Sequence, residues 1–121
     1  MYVRCVDNRQ YLRHASVQDA PFIHDLVVGR VYKALPDTQE EQLGYLRIVD
    51  ESGEDYTFPA GYFERVELSP FDGKEMDDQI TIHLNGLEKA ILRAEALAAQ
   101  KSVSSLVREW IEERLDLPQA A

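Results

Sequence analysis

Residues 79–115 have the sequence QITIHLNGLEKAILRAEALAAQKSVSSLVREWIEERL. At the start of this stretch, Ile80, Ile82 and Leu84 alternate with polar side chains. Alternation with a period of two predicts a strand that is apolar on one face and polar on the other. Two helical patterns follow after Asn85-Gly86. The order strand, helix, helix therefore organises the last third of the chain.

The two helices are predicted from apolar side chains that recur at three- and four-residue spacing. In the first helix these side chains are Leu87, Ala90, Ile91, Ala94, Leu97 and Ala98. Ser102 is a suitable N-cap for the second helix, and Leu117-Pro118 predicts its end, because proline disfavours helix in the residue before it. The apolar stripe of the second helix comprises Val103, Leu106, Val107, Trp110, Ile111 and Leu115.

A unit of this size, about 40 residues, is too small to bury so much apolar surface by itself. Its single strand would also leave backbone donors and acceptors unpaired. We therefore predict a homodimer in which the strands of two chains pair antiparallel into a two-stranded ribbon and the four helices enclose a shared core. The predicted dimer core consists of Ile80, Ile82, Leu84, Leu106, Val107, Trp110 and Ile111.

Residues 79–117 resemble the ribbon-helix-helix family of Arc/MetJ-type DNA-binding proteins. The resemblance rests on Ile80-Thr81-Ile82-His83-Leu84, on Ser102-Val103-Ser104-Ser105-Leu106-Val107-Arg108-Glu109, and on the 18-residue step from Leu84 to Ser102. It implies a ribbon whose outward residues enter the major groove, where base edges carry a distinct donor and acceptor code. By position, the base contacts would come from Gln79, Thr81 and His83.

The resemblance also implies that the start of the second helix holds a DNA phosphate, since a helix N-terminus supplies amide donors and a partial positive charge. The residues in that position are Lys101, Ser102 and the backbone amides of Val103 and Ser104. Simpler interpretations remain open for the same residues. The three outward residues can be the solvated face of a dimer ribbon, and Ser102 and Ser104 can serve in ordinary helix capping.

Charge argues against DNA binding. From Met76 to the end, the chain has eight acidic and five basic residues, whereas neutralisation of phosphate supplies most nonspecific affinity for DNA. Asp77 and Asp78 lie directly before the predicted strand, and the outward face of that strand has no Arg or Lys. The alternative is a protein-interaction or antitoxin-like module that does not bind DNA, in which the helices only dimerise and the acidic surface or the barrel binds a partner protein.

Residues 1–69 are predicted to form a small β-barrel, because short apolar runs alternate with turn-rich stretches. The runs are Tyr2–Val6, Leu26–Leu35, Tyr45–Val49, Tyr56–Phe58 and Arg65–Leu68. The clearest turn is Asp50–Asp55, a polar hairpin connection that contains Gly53. A long loop is expected between Asp7 and Asp25. Residues 70–78 are polar, contain Pro70 and Gly73, and are predicted to be a linker.

This first part resembles an SH3-like barrel in Tyr56-Thr57-Phe58-Pro59-Ala60-Gly61-Tyr62-Phe63-Glu64-Arg65-Val66. In SH3 folds a strand leads into a Pro-x-x-Tyr helical turn, which Pro59 and Tyr62 match, and then into the last strand. SH3 domains use this Pro and Tyr in an aromatic groove for proline-rich peptides, but the tryptophan central to that groove is missing here. Tyr11, Tyr32, Tyr45 and Tyr62 are candidates for a different aromatic patch, or for barrel packing with solvated hydroxyls.

The 121 residues carry a formal charge of −9, with 45% hydrophobic and 29% charged residues, which is typical of globular domains. The single cysteine, Cys5, excludes an intramolecular disulfide and is expected to be buried.

With no signal peptide and no apolar run long enough to span a bilayer, we expect a cytoplasmic protein that does not associate with membranes. The histidines and Cys5 lack metal-ligand spacing and there is no nucleophile or phosphate-loop motif, so no enzyme activity, metal or cofactor is expected.

Taken together, these patterns predict an α+β protein with an N-terminal SH3-like β-barrel and a C-terminal ribbon-helix-helix dimerisation unit. The two candidate functions are a dimeric transcriptional regulator that reads the major groove, with the barrel available for a protein partner, and the protein-interaction module described above. Agreement among the strand, cap and helix signals favours the first.

Overall fold

A computed structural model describes residues 1–11, 21–67, 76 and 78–115. These residues form a five-stranded antiparallel sheet, with one short helix between its second and third strands, followed by two longer helices. The chain divides into two units, Met1–Glu67 (unit 1) and Leu68–Ala121 (unit 2). The α+β class predicted from the sequence is therefore confirmed. Most of the predicted linker, residues 70–75 and 77, lies outside the described residues.

Unit 1 contains all five strands, which are β1 (Tyr2–Cys5), β2 (Val31–Leu35), β3 (Tyr45–Val49), β4 (Asp55–Pro59) and β5 (Phe63–Arg65). Their order in the sheet is β4-β3-β2-β1-β5, and every neighbouring pair is antiparallel. Among the described residues no ladder joins β4 to β5, so the sheet is open. The small β-barrel predicted for residues 1–69 is therefore not confirmed by these strands.

Strand alternation places one apolar row of side chains in the core of unit 1. The buried residues are Val3, Cys5, Leu26, Tyr32, Ala34, Ile48, Phe58 and Phe63. Val3 and Cys5 on β1, and Tyr32 and Ala34 on β2, are two residues apart because successive side chains point to opposite faces of a sheet. Cys5 is fully buried, as predicted from its place in an alternating strand.

Two predicted strands differ from the observed ones. β2 begins at Val31, not at Leu26, because the chain turns at Gly29, whose φ is +95°, and such a conformation interrupts a strand. Leu26 is nonetheless buried, and its carbonyl accepts a hydrogen bond from the Asn8 side-chain amide at 2.9 Å. The last strand is Phe63–Arg65, so it begins and ends earlier than the predicted Arg65–Leu68.

Two connections in unit 1 match their predictions and one helix was not predicted. Residues 50–54 join β3 to β4, with Gly53 at φ +83°, and a 3₁₀ turn at Ala60–Tyr62 joins β4 to β5. The unpredicted helix is α1 (Thr38–Gln42), which begins where the Asp37 carboxylate accepts a hydrogen bond from the Glu40 amide at 3.0 Å. Five residues are too few for a periodic apolar pattern to develop.

Unit 2 contains two helices among its described residues, α2 (Gly86–Ala98) and α3 (Val103–Arg114). Asn85 caps α2 in a reciprocal capping box with Glu88: the Glu88 amide donates to the Asn85 side chain at 2.7 Å and the Asn85 amide donates to the Glu88 carboxylate at 3.3 Å. Ser102 caps α3, with its hydroxyl accepting from the Ser105 amide at 3.1 Å. The predicted N-cap at Ser102 is confirmed.

Alkaline pH is expected to destabilise unit 1. Burial raises the pKa of the Cys5 thiol and of the Tyr32 hydroxyl above their ordinary values. A group with a raised pKa contributes its full stability below its unfolded pKa, and that contribution is lost as pH rises through the folded pKa. The free energy of unfolding should therefore hold at neutral pH and fall above about pH 8.5, the ordinary thiol pKa.

The measurement is urea unfolding of unit 1 between neutral pH and pH 11. Cys5→Ala lowers the stability at neutral pH by leaving a cavity, but it should flatten the first part of the alkaline decline, and Tyr32→Phe should flatten the later part. An unfolding free energy that stays constant through this range in the wild-type protein contradicts the prediction.

Candidate nucleic-acid interface and dimer surface

The predicted base-contact residues lie in a segment that precedes α2 and belongs to no helix or strand of the single chain. Gln79, Thr81 and His83 are all exposed, and the Gln79 amide donates to the Asp78 carboxylate at 2.8 Å. None of the strands described in this chain pairs with residues 79–84. Pairing of this segment with its copy in a second chain stays a prediction.

The apolar side chains that alternate with these residues are exposed as well. Ile80 is 80% exposed and Ile82 is 62% exposed, and Leu84 is also exposed. The polar and the apolar side chains of this segment are thus all exposed in the single chain, although large aliphatic side chains favour burial. This pattern is typical of a segment whose packing partner is missing.

The helices of unit 2 also present large apolar side chains to solvent. Ala96 of α2 and Leu106 of α3 are the buried residues among those described in this unit. Of the predicted dimer core, Val107 is half-buried and Trp110 and Ile111 are exposed. We call the exposed set the apolar surface of unit 2; it comprises Ile80, Ile82, Leu84, Leu87, Ile91, Leu97, Val103, Trp110, Ile111 and Leu115.

The connection between α2 and α3 fixes where the second helix begins. The Lys101 amide donates to the Ala96 carbonyl at 3.0 Å and the Gln100 amide donates to the Leu97 carbonyl at 3.1 Å. These two bonds form a Schellman motif, in which the residue after the helix adopts the left-handed conformation. That residue is Gln100, with φ +57°, where glycine is the usual choice.

Gln100→Gly is therefore expected to stabilise unit 2 by about 1 kcal/mol, since a side chain in the left-handed region costs energy that glycine avoids. Urea unfolding followed by the fluorescence of Trp110, the single tryptophan, measures the change. Ala99→Gly is the matched control, because Ala99 has φ −83° and gains nothing from glycine. Equal effects of the two substitutions, or destabilisation by Gln100→Gly, contradict this prediction.

The predicted phosphate-contact residues are exposed at the start of α3. Lys101, Ser102, Val103 and Ser104 all face solvent. The Ser102 hydroxyl accepts from the Ser105 amide and donates to the Ser105 hydroxyl at 2.9 Å, so its capping role is observed directly. The first amides of a helix have no acceptor within the helix, and those of Val103 and Ser104 are in that position.

The basic side chains near this helix start are partly engaged by other groups. The Lys101 ammonium forms an ion pair with the Glu109 carboxylate, and the Arg108 guanidinium donates to the Ser105 hydroxyl at 3.3 Å. The pairing of Lys101 with Glu109 was not predicted. The two residues are eight positions apart and on opposite sides of a helix cap, beyond the three- and four-residue spacings that reveal neighbours within one helix.

Unit 1 brings three of the four candidate tyrosines together. The Tyr11 ring lies 6.3 Å from the Tyr45 ring and 5.9 Å from the Tyr62 ring. Tyr32 does not belong to this cluster: it is buried in the core, and its hydroxyl accepts from the Val27 amide at 2.9 Å. We call Tyr11, Tyr45 and Tyr62 the tyrosine cluster.

The hydroxyls of the tyrosine cluster hold the chain near residue 10 against the sheet. The Tyr11 hydroxyl donates to the Thr57 carbonyl at 2.5 Å on edge strand β4, and the Tyr62 hydroxyl donates to the Arg9 carbonyl at 2.8 Å. Burial raises the pKa of Tyr62, so its hydroxyl keeps the proton it donates. The Arg9 guanidinium in turn lowers the pKa of Asp7 through hydrogen bonds, the shortest of them 2.8 Å. The bond from Tyr11 to Thr57 occupies part of the β4 edge.

The described residues contain no group of three or more His, Cys, Asp or Glu side chains able to hold a metal ion. Helices in this part of the chain are all too short or too polar to cross a membrane.

Comparison of the chain with protein-family models, with curated proteins and with solved structures found no match.

Proposed function

We propose that the protein is a dimeric DNA-binding transcriptional regulator whose C-terminal unit forms a ribbon-helix-helix dimer. The observation that carries the proposal is the exposed row of Ile80, Ile82 and Leu84, in a segment that none of the described strands pairs with, followed by two helices with exposed apolar side chains. Antiparallel pairing of this segment with its copy in a second chain satisfies the backbone groups and covers the row in one step.

The magnitudes support such a dimer. Full burial of a large aliphatic side chain contributes roughly 1.5–3 kcal/mol. Burial of Ile80, Ile82 and Leu84 from two chains therefore contributes a free energy comparable to the cost of association. That cost, the loss of translational and rotational freedom, is about 4–15 kcal/mol. Apolar side chains of α2 and α3, including Trp110 and Ile111, supply the surplus that makes the dimer stable.

In a paired ribbon the polar residues of the same segment share the opposite face. Gln79, Thr81 and His83 then project outward together, and a two-stranded ribbon fits the major groove. Glutamine can pair with the adenine edge, threonine can contact a thymine methyl, and histidine can donate to a guanine acceptor. The alternation that buries the apolar row thus also assembles the readout face.

The start of α3 is the proposed phosphate contact. The amides of Val103 and Ser104 and the partial positive charge of the helix N-terminus favour an anion there. Lys101 and the Ser102 hydroxyl add a charge and a polar contact. In a symmetric dimer this contact occurs twice and fixes the register of the ribbon on the duplex.

We propose further that unit 1 is an SH3-like domain that recruits a protein partner. Its support is the strand order β4-β3-β2-β1-β5 together with the 3₁₀ turn at Ala60–Tyr62 between the last two strands. The tyrosine cluster is the aromatic surface of this unit. The hydroxyls of Tyr11 and Tyr62 are bound to backbone carbonyls, and the half-buried rings of the cluster are the proposed contact for the partner.

The proposal is tested by titrating the protein against DNA from upstream of its own gene and against a scrambled duplex, at roughly 50 and 200 mM salt. Specific binding that weakens steeply with salt is expected. Loss of a bidentate base contact costs about 1–3 kcal/mol per site. Gln79→Ala should therefore weaken specific binding at least about 5-fold, and Thr81→Ala and His83→Ala should act in the same direction, all without loss of the dimer.

Two matched controls are available in unit 1. His24 and Gln42 are exposed, so His24→Ala and Gln42→Ala make the same chemical changes at residues that are not part of the proposed ribbon, and they should leave binding unchanged. A wild-type protein that does not retain DNA at the lower salt concentration refutes the proposal. Equal losses in the test and control variants refute the assignment of the ribbon as the readout face.

The acidic composition favours a second candidate function. With eight acidic and five basic residues from Met76 onward, the dimer could instead bind a basic partner protein, as an antitoxin-like module does. This alternative predicts no DNA binding at low salt and a basic protein that copurifies with the dimer.

A further inference from the structure

The ion pair between Lys101 and Glu109 joins the start of α3 to a residue two turns further along the same helix. Both side chains are partly exposed, Lys101 by 39% and Glu109 by 36%. Lys101 is the residue directly before the N-cap Ser102, and its backbone is held by the hydrogen bond that its amide donates to the Ala96 carbonyl. The side chain therefore starts from a fixed position, from which its ammonium lies against Glu109.

This arrangement places an internal anion on the cation that the proposed phosphate contact requires. A carboxylate and a phosphate compete for the same ammonium, since both are oxygen anions that accept charge-assisted hydrogen bonds. Arg108, the next basic residue along α3, donates to the Ser105 hydroxyl. Lys101 is thus the cation closest in sequence to the Val103 and Ser104 amides, and it is already paired.

We propose that Glu109 is an intramolecular competitor of DNA phosphate for Lys101, and that it holds the affinity of the dimer for DNA below what its phosphate contacts allow. This inference rests on the proposed DNA-binding function. In the free protein the ion pair neutralises the Lys101 charge at the helix start. Phosphate binding must displace Glu109, and two such pairs are broken per dimer.

The competition has a modest expected size, because the pair is partly exposed and screened by solvent. Exposed ion pairs contribute little to stability, and release of two of them corresponds to an affinity gain of about 2- to 30-fold. Glu109→Gln should therefore tighten DNA binding by this factor at low salt, because the amide has nearly the shape of the carboxylate and no charge.

Removal of any acidic residue from the dimer favours DNA binding to some extent, so a matched control is needed. Glu113 is exposed on the same helix and makes no ion pair among the described residues, and Glu113→Gln changes the net charge by the same amount. The effect specific to Glu109 is the difference in DNA affinity between Glu109→Gln and Glu113→Gln. A second pair of proteins, Lys101→Ala with and without Glu109→Gln, tests whether that difference acts through Lys101.

The experiment is a DNA titration of the full-length wild-type, Glu109→Gln, Glu113→Gln, Lys101→Ala and Lys101→Ala/Glu109→Gln proteins on one duplex. Tighter binding by Glu109→Gln than by Glu113→Gln, with the excess lost in the Lys101→Ala background, supports the inference. If the wild type binds DNA and the two glutamine variants are equal, or if the excess persists without Lys101, the inference fails while the proposed function stands. If none of the five proteins binds DNA, both fail.

Discussion

The Ile82→Lys variant is expected to remain monomeric at concentrations at which the wild-type protein is a dimer. Ile82 is 62% exposed in the single chain, so lysine is tolerated there before association. In the paired ribbon the same position faces the shared core, where an unpaired charge costs several kcal/mol and the apolar burial of isoleucine is lost. Two substitutions per dimer should raise the dimer dissociation constant at least about 1000-fold, as measured by sedimentation equilibrium.

Leu43→Lys is the matched control for this prediction. Leu43 is also 62% exposed in the single chain, but it follows α1 in unit 1 and is not part of the predicted ribbon. The Leu43→Lys variant should therefore dimerise like the wild type. A dimer that survives Ile82→Lys, or that Leu43→Lys disrupts equally, would show that the chains do not associate through the ribbon.

The Ile48→Ala variant is expected to lose much of the stability of unit 1. Ile48 is fully buried in β3, opposite Ala34 of β2 and Tyr56 of β4 in the register of the sheet. Truncation of a buried isoleucine to alanine typically costs about 2–5 kcal/mol, because transfer free energy is lost and a cavity remains. Small domains have total stabilities of only about 5–15 kcal/mol, so the midpoint of thermal unfolding should fall by at least about 10 °C.

The unfolding of unit 1 can be followed through its tyrosines, since all six tyrosines of the chain precede residue 68. Val49→Ala is the control: Val49 is the next residue of β3, points to the other face of the sheet and is only half-buried. It should lower the unfolding midpoint by much less. Similar shifts in the two variants would mean that the core does not lie on the face assigned by strand alternation.

Where residues close in sequence determine a structure, prediction from the sequence succeeded. The helices α2 and α3 were predicted because their apolar residues recur at helical spacing, and the cap at Ser102 was predicted because its hydroxyl reaches an amide three residues away. The hairpin at residues 50–54 and the helical turn after Pro59 are also local. In each case the physical signal lies within a few residues.

The parts of the candidate site that were missed depend on residues distant in sequence. The ion pair between Lys101 and Glu109 spans a helix cap, and the bond from the Tyr11 hydroxyl to the Thr57 carbonyl joins residues 46 positions apart. The exclusion of Tyr32 from the tyrosine cluster depends on the alternation of β2 once its register is known. No local pattern contains this information.

Strand alternation, helical periodicity and capping residues in the sequence were enough to determine the α+β class and the helices of unit 2, while the polar and apolar faces of residues 79–84 stay a prediction. These properties follow from backbone geometry and from the chemistry of neighbouring side chains. The open sheet, the assembly of the tyrosine cluster and the pairing of Lys101 with Glu109 were decided only by the tertiary structure, because each depends on how distant parts of the chain come together in space.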